Sequence, residues 1–127
     1  VRALLDTSVL LGPTPDPIPG DLAISSISLA ELHFGVLVAR SAIVRAERLR
    51  RVAVIEARFS PLAVDARVAR AYGRIAAAVA AAGRQPRSRS MDLLIAATAA
   101  AHDARLYTRS AADFTGLDGI VDVVDLT

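Results

Sequence analysis

Four carboxylates, Asp6, Glu31, Asp92 and Asp113, stand where the sequence turns from one element to the next. Asp6 closes the short apolar run 2–5. Glu31 lies in the first turn of a helix expected from Ser28, and Asp92 in the first turn of one expected from about Met91. Asp113 follows a run that ends at Thr108. In an α/β sheet, strand-to-helix junctions of this kind can share one edge. Carboxylates gathered there repel one another unless a cation joins them. A purely oxygen donor set favours Mg²⁺ or Mn²⁺ over zinc. Each residue also has a structural reading at this stage. Asp6 can cap the next helix, Glu31 can complete a capping box with Ser28, Asp92 suits a helix N-terminus, and Asp113 can make an Asx turn.

The inventory removes several other chemistries. All 15 basic residues are Arg, and Cys is absent. Without Lys there is no P-loop lysine, Schiff-base amine or phosphatase lysine, and without Cys there is no thiol nucleophile or zinc knuckle. His33 and His102 are far apart and have no second His or Cys at ligand spacing, so they read as surface or partly buried imidazoles. Ser8 lacks the glycines of a nucleophile elbow. The guanidinium fork suits phosphate recognition. With aromatic residues at 4%, extensive base stacking is not expected. No apolar run approaches the roughly 20 residues of a spanning helix. The first residues do not read as a signal peptide, and with no disulfide chemistry the expected location is the cytoplasm.

The elements that must position the carboxylates follow from periodicity and punctuation. Residues 2–5 read as a buried strand, and 12–20, with Pro13, Pro15, Pro17 and Pro19, as a loop. A strand is expected at 22–25 and a helix at 28–39. A second helix, capped by Ser41, should run to about Arg58. Residues 62–64 are a brief strand candidate. Asp65 should then cap a helix with Val68, Tyr72, Ile75 and Val79 on one stripe, ended by Gly83. A basic loop, 83–90, precedes a helix at 91–102, and strands at 105–108 and 120–124 complete the chain. Asp118, Asp122 and Asp125 alternate with apolar residues as the wet side of an edge strand. At 127 residues the chain is expected to form one α/β domain, 1–127, with a central, mostly parallel sheet flanked by helices.

Four segments carry a resemblance: 4–10 (LLDTSVL), 28–35 (SLAELHFG), 91–99 (MDLLIAATA) and 108–114 (TRSAADF). Taken in this order, with this spacing and total length, the chain resembles the PIN-domain toxins of VapBC toxin–antitoxin systems over nearly its whole length. The resemblance implies a PIN-like fold and a metal site built from Asp6, Glu31, Asp92 and Asp113. It implies an endoribonuclease that inhibits translation, a cognate antitoxin whose tail fills the active-site groove, and a homodimer. Where the family usually has Asn, this chain has Ser110, a shorter side chain that still donates and accepts.

Such a site would use Mg²⁺ or Mn²⁺ to make water a nucleophile and to offset charge on the phosphate. That chemistry needs neither Lys, Cys nor His. Thr7, Thr108 and Ser110 are expected to support the carboxylates with hydroxyls; Arg84, Arg87 and Arg89 form either an ordinary solvated loop or, with Arg109, the contacts to RNA. Val36 to Val44 and the alanines from Ala76 to Ala82 are candidate contact regions. Two competing readings remain open: a non-catalytic PIN-like module that binds RNA or an antitoxin, and a phosphatase built on Asp6, which the absence of Lys and the Ser at position 8 disfavour.

Overall fold

The computed structural model describes residues 2–127. Its sheet has four strands, β1 (Arg2–Leu5), β2 (Asp21–Ala23), β3 (Arg105–Thr108) and β4 (Asp122–Asp125), in the order β2-β1-β3-β4. Every pairing is parallel. The two central strands are apolar on both sides, as burial under helices on both faces demands. From β1 the chain first adds a strand on one side and later returns to the other. The strand order therefore reverses between β1 and β3, and beyond the carboxyl ends of these strands an open α/β sheet forms its crevice.

Alternation within the strands sends side chains into two cores. Leu4 and Leu106 pack with helices α4 (Ala66–Ala81) and α5 (Ser90–Ala101), among Val68, Ile75 and Leu93. Ala3, Leu5 and Tyr107 face the other side, where α1 (Thr7–Leu11), α2 (Ser26–Leu37) and α3 (Ala42–Arg58) supply Val9, Leu32, Val52 and Ile55. Helix α5 is buried almost all round, from Leu93 to Ala99, so Asp92 in its first turn rides on a rigid element. The edge strand β4 ends in exposed Asp122 and Asp125, charges that discourage further pairing. Asp122 also pairs with Arg105 at 3.2 Å across the register.

Arginines close the helix ends on the second face. Arg45 donates to the Ala39 carbonyl (3.2 Å), Arg48 to that of Gly35 (2.6 Å) and Arg51 to that of Leu11 (2.6 Å). These carbonyls lie at or near the ends of α2 and α1, where backbone acceptors lack partners and the helix dipole favours cations.

Several local expectations change. Ser25, not Ser28, caps α2, accepting from the Ile27 N–H; the helix starts two residues early and Ser28 is buried within its first turn. The strand expected at 22–25 is Asp21–Ala23, followed by an isolated bridge from Ser25 to Leu62. That bridge is all that forms of the candidate strand at 62–64, because Leu62 donates to the Ile24 carbonyl and accepts from Ser26 before the chain turns into α4. The basic loop contains a 3-10 turn, Pro86–Arg89, with Pro at its first position. Asp65 caps α4 through the Val68 N–H as expected.

Because Leu106 is fully buried in a central strand, Leu106→Ala should cost about 2–5 kcal/mol in chemical denaturation. Val54→Ala on the exposed side of α3 should stay within about 0.5 kcal/mol. Equal losses from the two would contradict this placement of the core.

Candidate active site

Asp6 occupies the N-cap position of α1, yet its side chain caps nothing. It is 4% exposed, and its Oδ2 accepts hydrogen bonds from Ser8 Oγ and from Thr108 Oγ1, both at 2.8 Å. Each hydroxyl is held in turn. The Arg109 N–H donates to Ser8 Oγ and the Ser110 N–H to Thr108 Oγ1, both at 2.9 Å. Two backbone donors beyond β3 thus orient two hydroxyls that fix one carboxylate at the end of β1. Oδ1 of Asp6 has no donor among the described residues and remains available to a ligand.

Glu31 is reached from the same short helix. Thr7 Oγ1 lies 2.6 Å from Glu31 Oε1 and 2.9 Å from Ser28 Oγ. A hydroxyl has one proton, and the shorter contact to a charged acceptor takes it, so the buried Ser28 hydroxyl donates to Thr7. Glu31 makes no capping box with Ser28, since Ser25 caps the helix; it is turned toward Thr7 and the Asp6 junction.

Asp92 is half-buried, and its carboxyl is pushed up to about 6 by desolvation and by the negative charges of Asp113, Asp6 and Glu31; Arg89 opposes this. The other three carboxylates therefore all act on Asp92. As they stand, no three acidic or imidazole groups among the described residues converge tightly enough to grip an ion. Mutual repulsion opposes such closure until positive charge offsets it. Asp113 sits in a 3-10 turn, Ala111–Phe114, with its N–H on the Ser110 carbonyl at 2.9 Å.

Two of the four arginines expected to meet RNA are tied to the backbone instead. Arg89 donates to the Ala112 carbonyl at 3.0 Å and so binds the Asp113 turn to the start of α5. Arg109 donates to the Pro13 carbonyl at 2.8 Å and anchors the proline loop. A Cβ at Gly12 would stand 2.8 Å from Arg109 Nε, so a larger residue there would push this side chain aside. Arg84 and Arg87 are exposed and have no partner among the described residues. Ser110 contributes its backbone N–H to the network. Ser8 and Ser28 are the residues that sequence reasoning missed; the hydroxyl-rich stretch after Asp6 was the available signal.

A groove of about 640 Å³ lined by Leu10, Ile18, Val54 and Phe59 contains none of these carboxylates. The chemistry lies on the shallow edge and not in that cavity.

The chain matches the PIN domain family over residues 3–112. It is 38% identical to ribonuclease VapC5 of Mycobacterium tuberculosis over 126 residues, covering 94% of this chain and 90% of that protein. To ribonuclease VapC4 of the same organism it is 36% identical, covering 85% of each. Among solved structures it is similar to VapBC-5, a member of the VapBC family of toxin–antitoxin systems from M. tuberculosis, with a TM-score of 0.84, 36% identity and coverage of 98% of this chain and 97% of that one. FitAcB from Neisseria gonorrhoeae gives a TM-score of 0.80 at 28% identity, again covering 98% and 97%.

The raised Asp92 carboxyl has a consequence for stability. Its folded value, about 6, lies above the ordinary 3.8, so the native state holds a proton that the unfolded chain releases first. Stability contributed by protonated Asp92 is present below about pH 4 and lost as pH rises through about 6. In chelator at pH 8, Asp92→Asn should therefore melt higher than the parent, by roughly 3–5 °C after allowing for solvent screening of a half-exposed group. The difference should vanish toward pH 4. A lower melting temperature for the variant at pH 8 would mean that Asp92 carries no such strain.

Proposed function

Because the chain belongs to the PIN-domain family, with VapC ribonucleases as relatives, we propose that its carboxylate edge is the active centre of a divalent-metal-dependent endoribonuclease. It acts as the toxin of a type II toxin–antitoxin pair and inhibits translation by cutting RNA. The observation that carries this reading is the placement of Asp6. A buried carboxylate is fixed at the point where the strand order reverses, one oxygen is held by two hydroxyls, the other is open, and with Glu31 and Asp113 it lies within electrostatic reach of Asp92.

The residues present fit a hard cation. The donors are carboxylate and hydroxyl oxygens, with no thiol in the chain, and hard oxygens suit Mg²⁺ or Mn²⁺. Asp6, Asp92 and Glu31 would hold it directly or through water, and Asp113 would complete the site or a second position. When bound, the cation supplies the Lewis acidity that makes water a nucleophile at neutral pH and offsets charge on the phosphate.

The chain's own part is positioning. Ser8 and Thr108 keep Asp6 from rotating, and Thr7 keeps Glu31 on the same side. Arg89 holds the Asp113 turn against α5. Hydroxyls supporting a metal ligand in this way typically matter about 10–100-fold in metal affinity or activity. Arg84 and Arg87 are the arginines of the basic segment left free to meet phosphate.

For partners, the reading adds a cognate antitoxin and a second copy of the chain. It draws support from the toxin–antitoxin systems whose structures this fold matches. No helix among the described residues is long and apolar enough to cross a membrane, and the cytoplasm, where RNA is met, is the proposed location.

Purified protein free of inhibitor should cut cellular RNA into discrete fragments with Mg²⁺ or Mn²⁺ and not in chelator. Asp6→Asn or Asp92→Asn should reduce the rate by more than about a hundredfold, beyond what loss of a supporting partner costs, and Ser8→Ala by about tenfold. Undiminished cutting by folded Asp6→Asn would refute the assigned roles. Binding of RNA without cutting by the parent would make the chain a non-catalytic module.

A further inference from the structure

The stretch from Ala66 to Met91 contains six arginines and no carboxylate, and it ends directly at Asp92. Helix α4 occupies most of it. One side of α4 is buried through Val68, Ala71, Ile75 and Val79. Arg67, Arg70 and Arg74 stand on the exposed side, together with Gly73 and Ala77. Spacings of three and four residues bring these arginines onto one face. The small residues beside them keep the surface low, so a polyanion can approach the guanidinium groups without steric obstruction.

The direction of α4 matters. Its N-terminal end lies near His102, which bonds to Arg2 at the opening of β1. Its C-terminal end leads through the 3-10 turn at Pro86–Arg89 to the carboxylate edge, where Arg89 is fastened to Ala112. The 16-residue helix thus spans about 24 Å from the back of the sheet to the site.

Elsewhere the arginines are largely engaged. Arg45, Arg48 and Arg51 cap carbonyls on α1 and α2, and Arg105 pairs with Asp122. On α4, only Arg67 has a carboxylate nearby, Asp65 at 3.7 Å. Arg70 and Arg74 are like charges four residues apart, an arrangement that disfavours the isolated helix and that an anionic ligand relieves.

We propose that the outer face of α4 is a binding track for the phosphate backbone of RNA, with Arg70 and Arg74 at its centre and Arg84 and Arg87 carrying the strand on to the carboxylates. This inference rests on the ribonuclease reading and extends it to the path of the substrate outside the site. Contacts of guanidinium with phosphate are independent of sequence, so the track grips flanking RNA and leaves the choice of cleavage point to the edge itself. An acidic protein is the other polyanion that could lie here. RNA is favoured because the track leads into a phosphodiester-cleaving centre and presents no apolar anchor between its arginines.

The test is binding of a labelled, unstructured oligoribonucleotide longer than the α4 face, measured by fluorescence anisotropy in chelator across a salt series. Arg70→Gln with Arg74→Gln replaces two exposed residues by a good helix former, and a thermal melt checks the fold. The slope of log affinity against log salt should fall by about 1.4, roughly 0.7 for each phosphate contact removed. Arg40→Gln with Arg50→Gln removes the same charge from exposed positions elsewhere and should leave the slope as it was.

An unchanged slope in the α4 pair, an equal fall in the control pair, or no RNA binding by the parent would each overturn the track. Loss of binding to an acidic protein with the RNA slope intact would overturn it in favour of protein docking. The two readings fail separately. A parent that binds RNA through α4 but never cuts it with metal sinks the ribonuclease, whereas a parent that cuts with an unaltered slope in the α4 pair sinks only the track.

Discussion

The Asp6 carboxylate sits where two strands that are far apart in sequence must agree. It closes β1, and the hydroxyl that holds it most deeply comes from Thr108 at the end of β3, 102 residues away. Thr108 is fully buried. Its hydroxyl is satisfied there by donating to Asp6 and accepting from the Ser110 N–H, with Ser8 Oγ a further 3.2 Å neighbour. A buried polar group without such partners would cost several kcal/mol, roughly 2–7 by transfer measurements. The register of β1 on β3, the turn after β3 and the orientation of the first carboxylate are therefore one constraint. Ser8 adds a second tie from α1, so the switch point of the sheet is both the centre of the fold and the fixed point of the site.

Around that fixed point the chain tolerates charge that does not favour folding. Asp92 is carried on a helix buried nearly all round, and its half-buried carboxyl rises to about 6 through desolvation and the company of Asp113, Asp6 and Glu31. Natural sequences usually avoid such gatherings unless they serve a function. Here the surrounding scaffold compensates through ordinary means, with two apolar cores and arginine-capped helix ends. On the proposed reading, a cation at this edge would offset the charge that Asp92 meets there.

The coarse fold was legible because the period of the apolar residues changes plainly between strands and helices, and Pro13 to Pro19 and Gly83 mark the breaks. The candidate carboxylates were legible as junction residues, and Asp6 and Asp92 fell where expected. The cap of α2 was not. Both Ser25 and Ser28 are competent N-caps, and only the buried Thr7 hydroxyl, a tertiary partner, draws Ser28 inward and leaves the cap to Ser25. The bridge at Leu62 escaped for a similar reason, since a single backbone pairing leaves no periodicity to read. Arg89 and Arg109 illustrate a further limit. Sequence gives an arginine's charge but not the carbonyl it reaches, and both turned out to fasten turns around the site.

The central claim is that these four carboxylates are arranged for a divalent cation. Crystals soaked in Mn²⁺ and measured at the manganese absorption edge would test it most directly. The account predicts an anomalous peak beside Asp6 Oδ1, within ligand distance of Asp92, which disappears in Asp6→Asn crystals treated in the same way. A peak elsewhere on the surface, or none at saturating Mn²⁺, would contradict it and leave the acidic edge without the ion that accounts for its charge.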